Sequence, residues 1–123
     1  MDWVSLAGRV LMSAIFLVGG YGKAMAPTAT MAMFSHLGLP LPGLAYAVSL
    51  LVEIGIGALF LVGFKARLTG LILAAWCIAT AFAAHYHPEN HDAMIHFMKN
   101  VCMAGGFLQV VAYGAGRLSV DRE

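Results

Sequence analysis

The stretch that decides the fold is LAYAVSLLVEIGIGALFLVGF, residues 44–64, in which Glu53 is the only charged side chain. At a rise of about 1.5 Å per residue, a helix of this length spans about 31 Å, roughly the hydrocarbon core of a bilayer. Lipid offers the backbone no hydrogen-bond partners, so a spanning segment pairs its own groups within a helix. Three more apolar runs predict three more helices, and we place the four at about residues 4–22, 44–64, 68–84 and 97–115.

The composition of the whole chain agrees with a membrane protein. Of its 123 residues, 61% are hydrophobic and 11% are charged, and the mean hydropathy is +0.83. Soluble domains are about 45–50% apolar and about 25% charged, and a small domain cannot bury so large an apolar excess. The net charge of +1 comes from scattered basic residues, which excludes a nucleic-acid partner. The sequence predicts an all-α bundle of four transmembrane helices in a lipid bilayer, forming a single domain over residues 1–123.

The connection after the first predicted helix, residues 23–43, is long and contains three prolines. Its middle is apolar and Thr28 is a helix-capping residue type, so we expect a short interfacial segment between helices one and two. Residues 24–26, Ala-Met-Ala, are similar to a signal-peptide cleavage site. A signal peptide needs positive charge before its apolar run, and Arg9 is the first basic residue, so we expect the first helix to be retained.

The distribution of basic residues predicts the orientation of the bundle. With four crossings, both termini and the link between helices two and three share one side of the membrane. Cytoplasmic loops carry an excess of Lys and Arg. The opposite side has only Lys23, whereas the shared side has Lys65, Arg67, Arg117 and Arg122. We therefore expect both termini in the cytoplasm. In a bacterium, this orientation in the inner membrane places the histidine-containing loop in the periplasm.

Several charged or polar side chains lie inside the apolar runs or at their ends. A charge at mid-bilayer costs about 2.5–3.5 kcal/mol, and such residues usually face the bundle interior and mark functional sites. The structural alternative is that Glu53 pairs with Arg9 or Lys99 to fix the helix register, while terminal side chains reach the headgroups. We interpret six residues as candidates for ligand binding or proton exchange: Glu53, Lys99, Asn100, Arg9, Lys23 and His85.

Short motifs in a fixed order carry a resemblance to a known family. They are Gly8-Arg9, Gly22-Lys23, Leu37-Gly38-Leu39-Pro40, Glu53 with Gly57, Gly63 with Arg67, His85, Phe97 with Lys99-Asn100, and Gly114-x-Gly116-x-x-Ser119-x-Asp121. Together, on four helices, they resemble the DoxX family of small four-helix membrane proteins. The resemblance implies a link to membrane redox chemistry. A related DoxD-type chain is a subunit of a thiosulfate:quinone oxidoreductase, and other members are associated with thiol-stress or oxidant-defence partners.

The favoured functional hypothesis is a non-autonomous subunit of a quinone-linked oxidoreductase, with a quinone-type or other small apolar ligand in an outer-leaflet pocket. In this hypothesis Glu53 and Lys99 form hydrogen bonds or exchange protons, and Arg9 is the counter-charge. Asn100, Lys23 and His85 line the mouth of the pocket. The chain carries no cofactor-binding motif, so the electrons would come from a protein partner.

Two other functions remain open from the sequence. A small proton-coupled transporter or exporter would use Glu53 to bind and release a proton or a polar solute. A non-catalytic docking subunit, or a homo-oligomer, would pack through a stripe of small residues, which suits close helix contact. That stripe is Ala75, Ala79 and Ala83.

The loop between helices three and four is rich in histidine, a common ligand of zinc and copper. The four candidates have irregular spacing and lack a carboxylate-bearing metal motif, so we expect no metal; they are His85, His87, His91 and His96. Cys77 and Cys102 form no C-x-x-C motif, so we expect two buried, inert thiols rather than a redox dithiol.

Overall fold

The computed structural model describes residues 2–122, and within that range it contains helices and no strand. Four of its five helices are long and apolar enough to cross a membrane, which confirms the all-α membrane-bundle prediction. The fifth is a short helix that follows the first in the chain. In chain order the helices are α1 (Asp2–Met25), α2 (Pro27–His36), α3 (Pro42–Val62), α4 (Ala66–His85) and α5 (His91–Tyr113).

The helices extend beyond the apolar runs because capping residues, rather than hydropathy, decide where they begin. Helix α5 begins at His91, six residues before the apolar run at Phe97. The side chain of Asn90 accepts a hydrogen bond from the Ala93 amide at 3.1 Å, which satisfies a donor of the first turn. Helices α2 and α3 each have proline in the first turn, at Pro27 and Pro42, where its missing amide costs nothing.

The four long helices pack in the order α1, α3, α4, α5. Helix α3 contacts α1 on one side and α4 on the other, and α4 contacts α5 along most of its length. Contact between α1 and α5 is small and occurs where Phe16 packs against Phe107, with ring centroids 5.6 Å apart. Phe60 joins them in the buried core, 5.0 Å from Phe107. The two outer helices also meet where Met12 lies beside Gly106, so their contact is confined to a short stretch of each helix.

Two segments of the long helices are π-helical, namely Leu51–Ile56 in α3 and Ala81–His85 in α4. A π-helical turn inserts one residue into the α-helical ladder, and such turns are frequent at functional sites. The first segment contains Glu53 and the second ends at His85, so each holds a residue that the sequence singles out.

The segment after α5, residues 114–122, folds back over the turn between α3 and α4. The amides of Val120 and Asp121 donate to the carbonyls of Val62 and Gly63 at 2.9 and 3.0 Å. The carboxylate of Asp121 accepts from the amides of Lys65 and Ala66, both at 2.7 Å. Helix α4 has no capping side chain of its own, so this distant carboxylate supplies the cap.

Arg9 ties α1 to the same end of the molecule. Its guanidinium is fully buried and donates to the backbone carbonyls of Leu61, Ala115 and Leu118. These carbonyls belong to the last turn of α3 and to the segment after α5, where helical partners are missing. Arg9, the α3–α4 turn and residues 114–122 together form what we call the clasp.

The short helix and the alanine stripe lie on the outside of the bundle. Helix α2 packs mainly against the start of α3 and buries Thr30 and Phe34. That it lies in the membrane interface stays a prediction. The stripe of Ala75, Ala79 and Ala83 is exposed, so within the described residues it is not a helix–helix seam.

Candidate functional site

The buried carboxylate of Glu53 forms an ion pair with Lys23 at the end of the bundle opposite the clasp. Lys23 Nζ lies 2.8 Å from Oε1 and 2.5 Å from Oε2 of Glu53. Glu53 is 4% exposed, and the Lys23 side chain is partly exposed at the end of α1. The structural alternative, in which Glu53 pairs with Arg9 or Lys99, is wrong, because the partner of Glu53 is Lys23 and Arg9 is held in the clasp.

Two glycines in α1 let the carboxylate approach the lysine. A Cβ atom at Gly20 would lie 2.6 Å from Ile54 Cγ1 and 3.2 Å from Glu53 Cβ, and one at Gly19 would lie 3.4 Å from Glu53 Oε1. Any larger residue at position 20 would push α1 away from the π-helical segment of α3. The ion pair therefore depends on a close helix crossing as well as on its two charges.

The end of α1 that carries Lys23 is fixed by Tyr46. The hydroxyl of Tyr46, in the first half of α3, donates to the Lys23 carbonyl at 3.1 Å. Carbonyls in the last turn of a helix have no helical partner, so this bond satisfies one of them. It also fixes the backbone from which the ammonium group reaches Glu53.

A cavity of about 380 Å³ lies directly beside the ion pair, within the size range of small-molecule sites. Its walls come from all five helices and are mostly apolar, with aromatic rings on three sides. The apolar lining residues include Ile15, Phe16, Met33, Phe34, Leu37, Trp76 and Met103, and the polar ones are Lys23, Ser49, Glu53, Thr80, His85 and Asn100.

Part of the cavity wall is formed by a short chain of hydrogen bonds. Asn100 Nδ2 donates to Thr80 Oγ1 at 3.2 Å, and the Thr80 hydroxyl donates to the carbonyl of Trp76 at 2.9 Å. An asparagine has two amide donors and one carbonyl acceptor. The remaining capacity of Asn100 is available to a ligand in the cavity it lines.

The structure brings together four of the six predicted site residues and separates the other two. Lys23, Glu53, His85 and Asn100 line one cavity, although they come from four different helices. Lys99 is exposed and lines a neighbouring cleft instead. The proposed role of Arg9 as counter-charge in the pocket is wrong, because its donors are used by backbone carbonyls at the opposite end.

Sequence reasoning missed the aromatic and hydroxyl walls of the cavity. Trp76, Thr80 and Ala84 follow one another at intervals of four on α4, next to His85. Residues at that spacing share one helix face. A search of the third apolar run for side chains on one helix face ending next to His85 would therefore have found them. Phe34 and Ser49 gave no comparable signal, because each lies alone in an apolar segment.

The histidines and cysteines are dispersed. The His85 and His96 rings stack loosely, with centroids 5.6 Å apart, and His87 lies 3.6 Å from the carboxylate of Glu89 at the surface. Within residues 2–122, no three histidine, cysteine or acidic side chains stand close enough to hold a metal. Cys77 is buried in the core and Cys102 is exposed, so only the first fits the expectation of a buried thiol.

The sequence matches a known family and two inner membrane proteins of Escherichia coli. The profile of the DoxX family matches residues 4–86. The chain is 34% identical over 117 residues to inner membrane protein YqjF of Escherichia coli strain K12, across 95% of this chain and 88% of the relative. It is 32% identical over 122 residues to inner membrane protein YphA of the same organism, across 95% and 87%. No solved structure matches it significantly.

Proposed function

The chain belongs to the DoxX family, and from that premise we propose that it is an inner-membrane subunit that binds a quinone-type ring beside Lys23 and Glu53. The inner membrane is the location named for both Escherichia coli relatives. One observation carries the proposal, namely that an apolar cavity of ring size ends at a buried ion pair. Most small-molecule sites are apolar with a few polar groups that fix orientation, and this cavity has that composition.

The cavity walls suit a flat ring with a carbonyl at each end. Phe16, Phe34 and Trp76 line it with aromatic surface, against which a planar ring packs. The ammonium of Lys23 would donate to one ring carbonyl, and a hydrogen bond from a charged donor is about twice as strong as a neutral one. The amide of Asn100 also lines the cavity and would donate to the second carbonyl.

The polar groups also suit proton exchange with the ring. Reduction of a quinone to a quinol takes two electrons and two protons, and the reverse reaction releases them. A partner protein would supply the electrons, because the chain has no cofactor-binding motif. Lys23 and Glu53 would pass protons to and from the ring oxygens, and His85, at the loop end of α4, would connect the cavity with the aqueous face.

The natural tryptophans provide a direct binding experiment. The chain contains only Trp3 and Trp76, and Trp76 lines the cavity. In a Trp3→Phe background, a short-chain ubiquinone titrated into nanodiscs should quench Trp76 fluorescence with saturation. The double variant Lys23→Gln/Glu53→Gln removes both charges and keeps two side chains that can hydrogen-bond to each other, although glutamine is one atom shorter than lysine. We expect it to weaken binding at least tenfold, because it removes the charged donor.

Arg67→Gln is the matched control, since it also removes a basic charge but from the exposed clasp end of the molecule. It should bind the quinone as the parent does. Equal quenching curves for the parent and the double variant would contradict the proposal, as would quenching that rises linearly without saturation. A menaquinone analogue tested in parallel would identify which ring class the cavity accepts.

A further inference from the structure

A second cavity opens between α1 and α5 and is continuous with the ligand cavity. Its volume is about 480 Å³. The two cavities share four lining residues, Ile15, His85, Asn100 and Met103. Contact between α1 and α5 is small and includes Phe16 against Phe107 and Met12 beside Gly106, whereas Ile15 and Met103 line the second cavity. We call this second space the cleft.

The cleft reaches the outer surface of the bundle at the depth of the hydrocarbon core. Ile15 lines both cavities and is nevertheless 55% exposed. It lies ten residues before the end of α1, and Met103 lies twelve residues after the start of α5. At about 1.5 Å per residue, both are about 15–18 Å from the helix ends on that side, near the middle of a bilayer. At this depth the cleft opens onto lipid tails.

The polarity of the cleft changes along its length. Its deep end is formed by Ile15 and Met103, whereas His96 and Lys99 line the end nearer the loop between α4 and α5. Long basic side chains near a helix end extend toward the headgroups. The cleft is therefore apolar at mid-bilayer and cationic toward the surface, which is the arrangement of an amphiphile lying in one leaflet.

We infer that the cleft is a lateral portal that holds the hydrocarbon tail of the ligand, which enters from the bilayer and not from water. The inference rests on the proposed function, and it narrows the ligand class to long-chain, membrane-dissolved quinones. The ring passes between Ile15 and Met103 to reach Lys23, and the tail stays in the cleft against lipid.

A groove on the far side of the bundle is the competing position for the tail. It has a volume of about 330 Å³, is lined by residues 39–48 and Trp76, and is apolar throughout. It shares only Trp76 with the ligand cavity, whereas the cleft shares four residues. The cleft is therefore the better connected of the two.

The test compares ligands with and without a tail in two matched tryptophan variants. Ile15→Trp fills the cleft, and Leu11→Trp places the same ring one turn away on the lipid-facing surface of α1, where Leu11 is 75% exposed. The probes are a radiolabelled tail-less benzoquinone and its decyl-chain form, at equal mole fraction in nanodiscs. We expect Ile15→Trp to weaken binding of the decyl form at least tenfold more than binding of the tail-less ring, with Leu11→Trp matching the wild type for both probes.

A photoreactive diazirine in the decyl chain provides a second measurement that needs no variant. Adducts on the peptides containing Ile15 or Met103 support the portal, and adducts confined to residues 39–48 overturn it. Equal binding of the decyl form by Ile15→Trp and Leu11→Trp also overturns it. If the wild type binds the tail-less and the decyl probes with equal affinity, the portal inference is wrong but the proposed ring-binding function stands. If the wild type binds neither probe, both the portal inference and the proposed function are wrong.

Discussion

Arg9 and Glu53 are the charged side chains that the described bundle buries most completely, and their partners are of different kinds. Glu53 has an oppositely charged partner, Lys23, in a pair that borders a cavity. Arg9 donates to three backbone carbonyls, and its planar guanidinium, with five N–H donors, suits that task. The first arrangement leaves charged groups that a ligand can reach, and the second closes a structural joint.

Replacing Arg9 should therefore reduce stability without altering the cavity. In Arg9→Met, the carbonyls of Leu61, Ala115 and Leu118 lose their donors, and each buried polar group left unpaired costs about 1–3 kcal/mol. We expect a loss of about 3 kcal/mol or more, measured as a lower thermal midpoint of the monomer in detergent. Arg9→Lys should recover only part of it, because an ammonium cannot span three carbonyls. An Arg9→Met midpoint equal to that of exposed Arg67→Met would contradict this account.

The sequence predicted which residues form the candidate site better than it predicted their partners. The depth of a residue in the membrane can be estimated from its position in an apolar run. Four residues could therefore be assigned to the interior of the bundle, namely Lys23, Glu53, His85 and Asn100. The partner of a buried charge depends on helix rotation and crossing distance, which hydropathy does not encode. Lys23 and Glu53 are 30 residues apart, and their meeting depends on glycines whose contacts only the folded bundle reveals.

At the scale of single elements, hydropathy predicted the four long helices but not their π-helical segments or the residue at which α5 begins. The π-helical turns in α3 and α4 interrupt runs that read as uniform apolar sequence. A π-helical turn is rare and is frequently found at functional sites, and the hydropathy of these runs contains no pattern that predicts it. The start of α5 was missed for a different reason, since its first turn is polar and is stabilised by the Asn90 cap.

The close contact between α1 and α3 predicts different effects for alanine substitutions at two glycines of α1, Gly20 and Gly22. In Gly20→Ala the new Cβ would meet Ile54 Cγ1 at 2.6 Å, so α1 must move away from α3 and the Lys23–Glu53 pair must lengthen. In Gly22→Ala the new Cβ meets nothing within 4 Å, and alanine is the better helix former by about 1 kcal/mol. We expect Gly20→Ala to lower the thermal midpoint and weaken quinone quenching of Trp76, and Gly22→Ala to do neither. The same result for both variants would contradict the role assigned to the crossing.

At the scale of the whole molecule, the bundle has two unlike ends. The clasp end is closed by hydrogen bonds from residues 114–122 and carries most of the basic residues. The cavity end holds the ion pair, the histidines and the cleft. Cytoplasmic loops are enriched in Lys and Arg, which favours the clasp at the cytoplasmic face. With that orientation, we expect the cavity end to lie in the outer leaflet.

That orientation can be measured with single cysteines in a Cys102→Ala background, in which the remaining Cys77 is buried in the core. Glu89→Cys lies in the exposed loop at the cavity end, and Arg67→Cys lies at the exposed start of α4. In spheroplasts, an impermeant maleimide should label Glu89→Cys at once and Arg67→Cys only after lysis. The reverse pattern would place both termini outside and the cavity in the inner leaflet.

The clasp has a mechanical consequence. Helices α1 and α3 form one arm of the bundle, and α4 and α5 form the other. The clasp joins the two arms at the same end through hydrogen bonds. From Arg9 to Lys23 the arm is about 21 Å long, so a tilt of about 5° at the joint moves the tip by about 2 Å. A small rotation of the α1–α3 pair about the clasp would displace its cavity end more than the clasp itself, so the clasp and the contact between α3 and α4 together limit how far the cavity can widen.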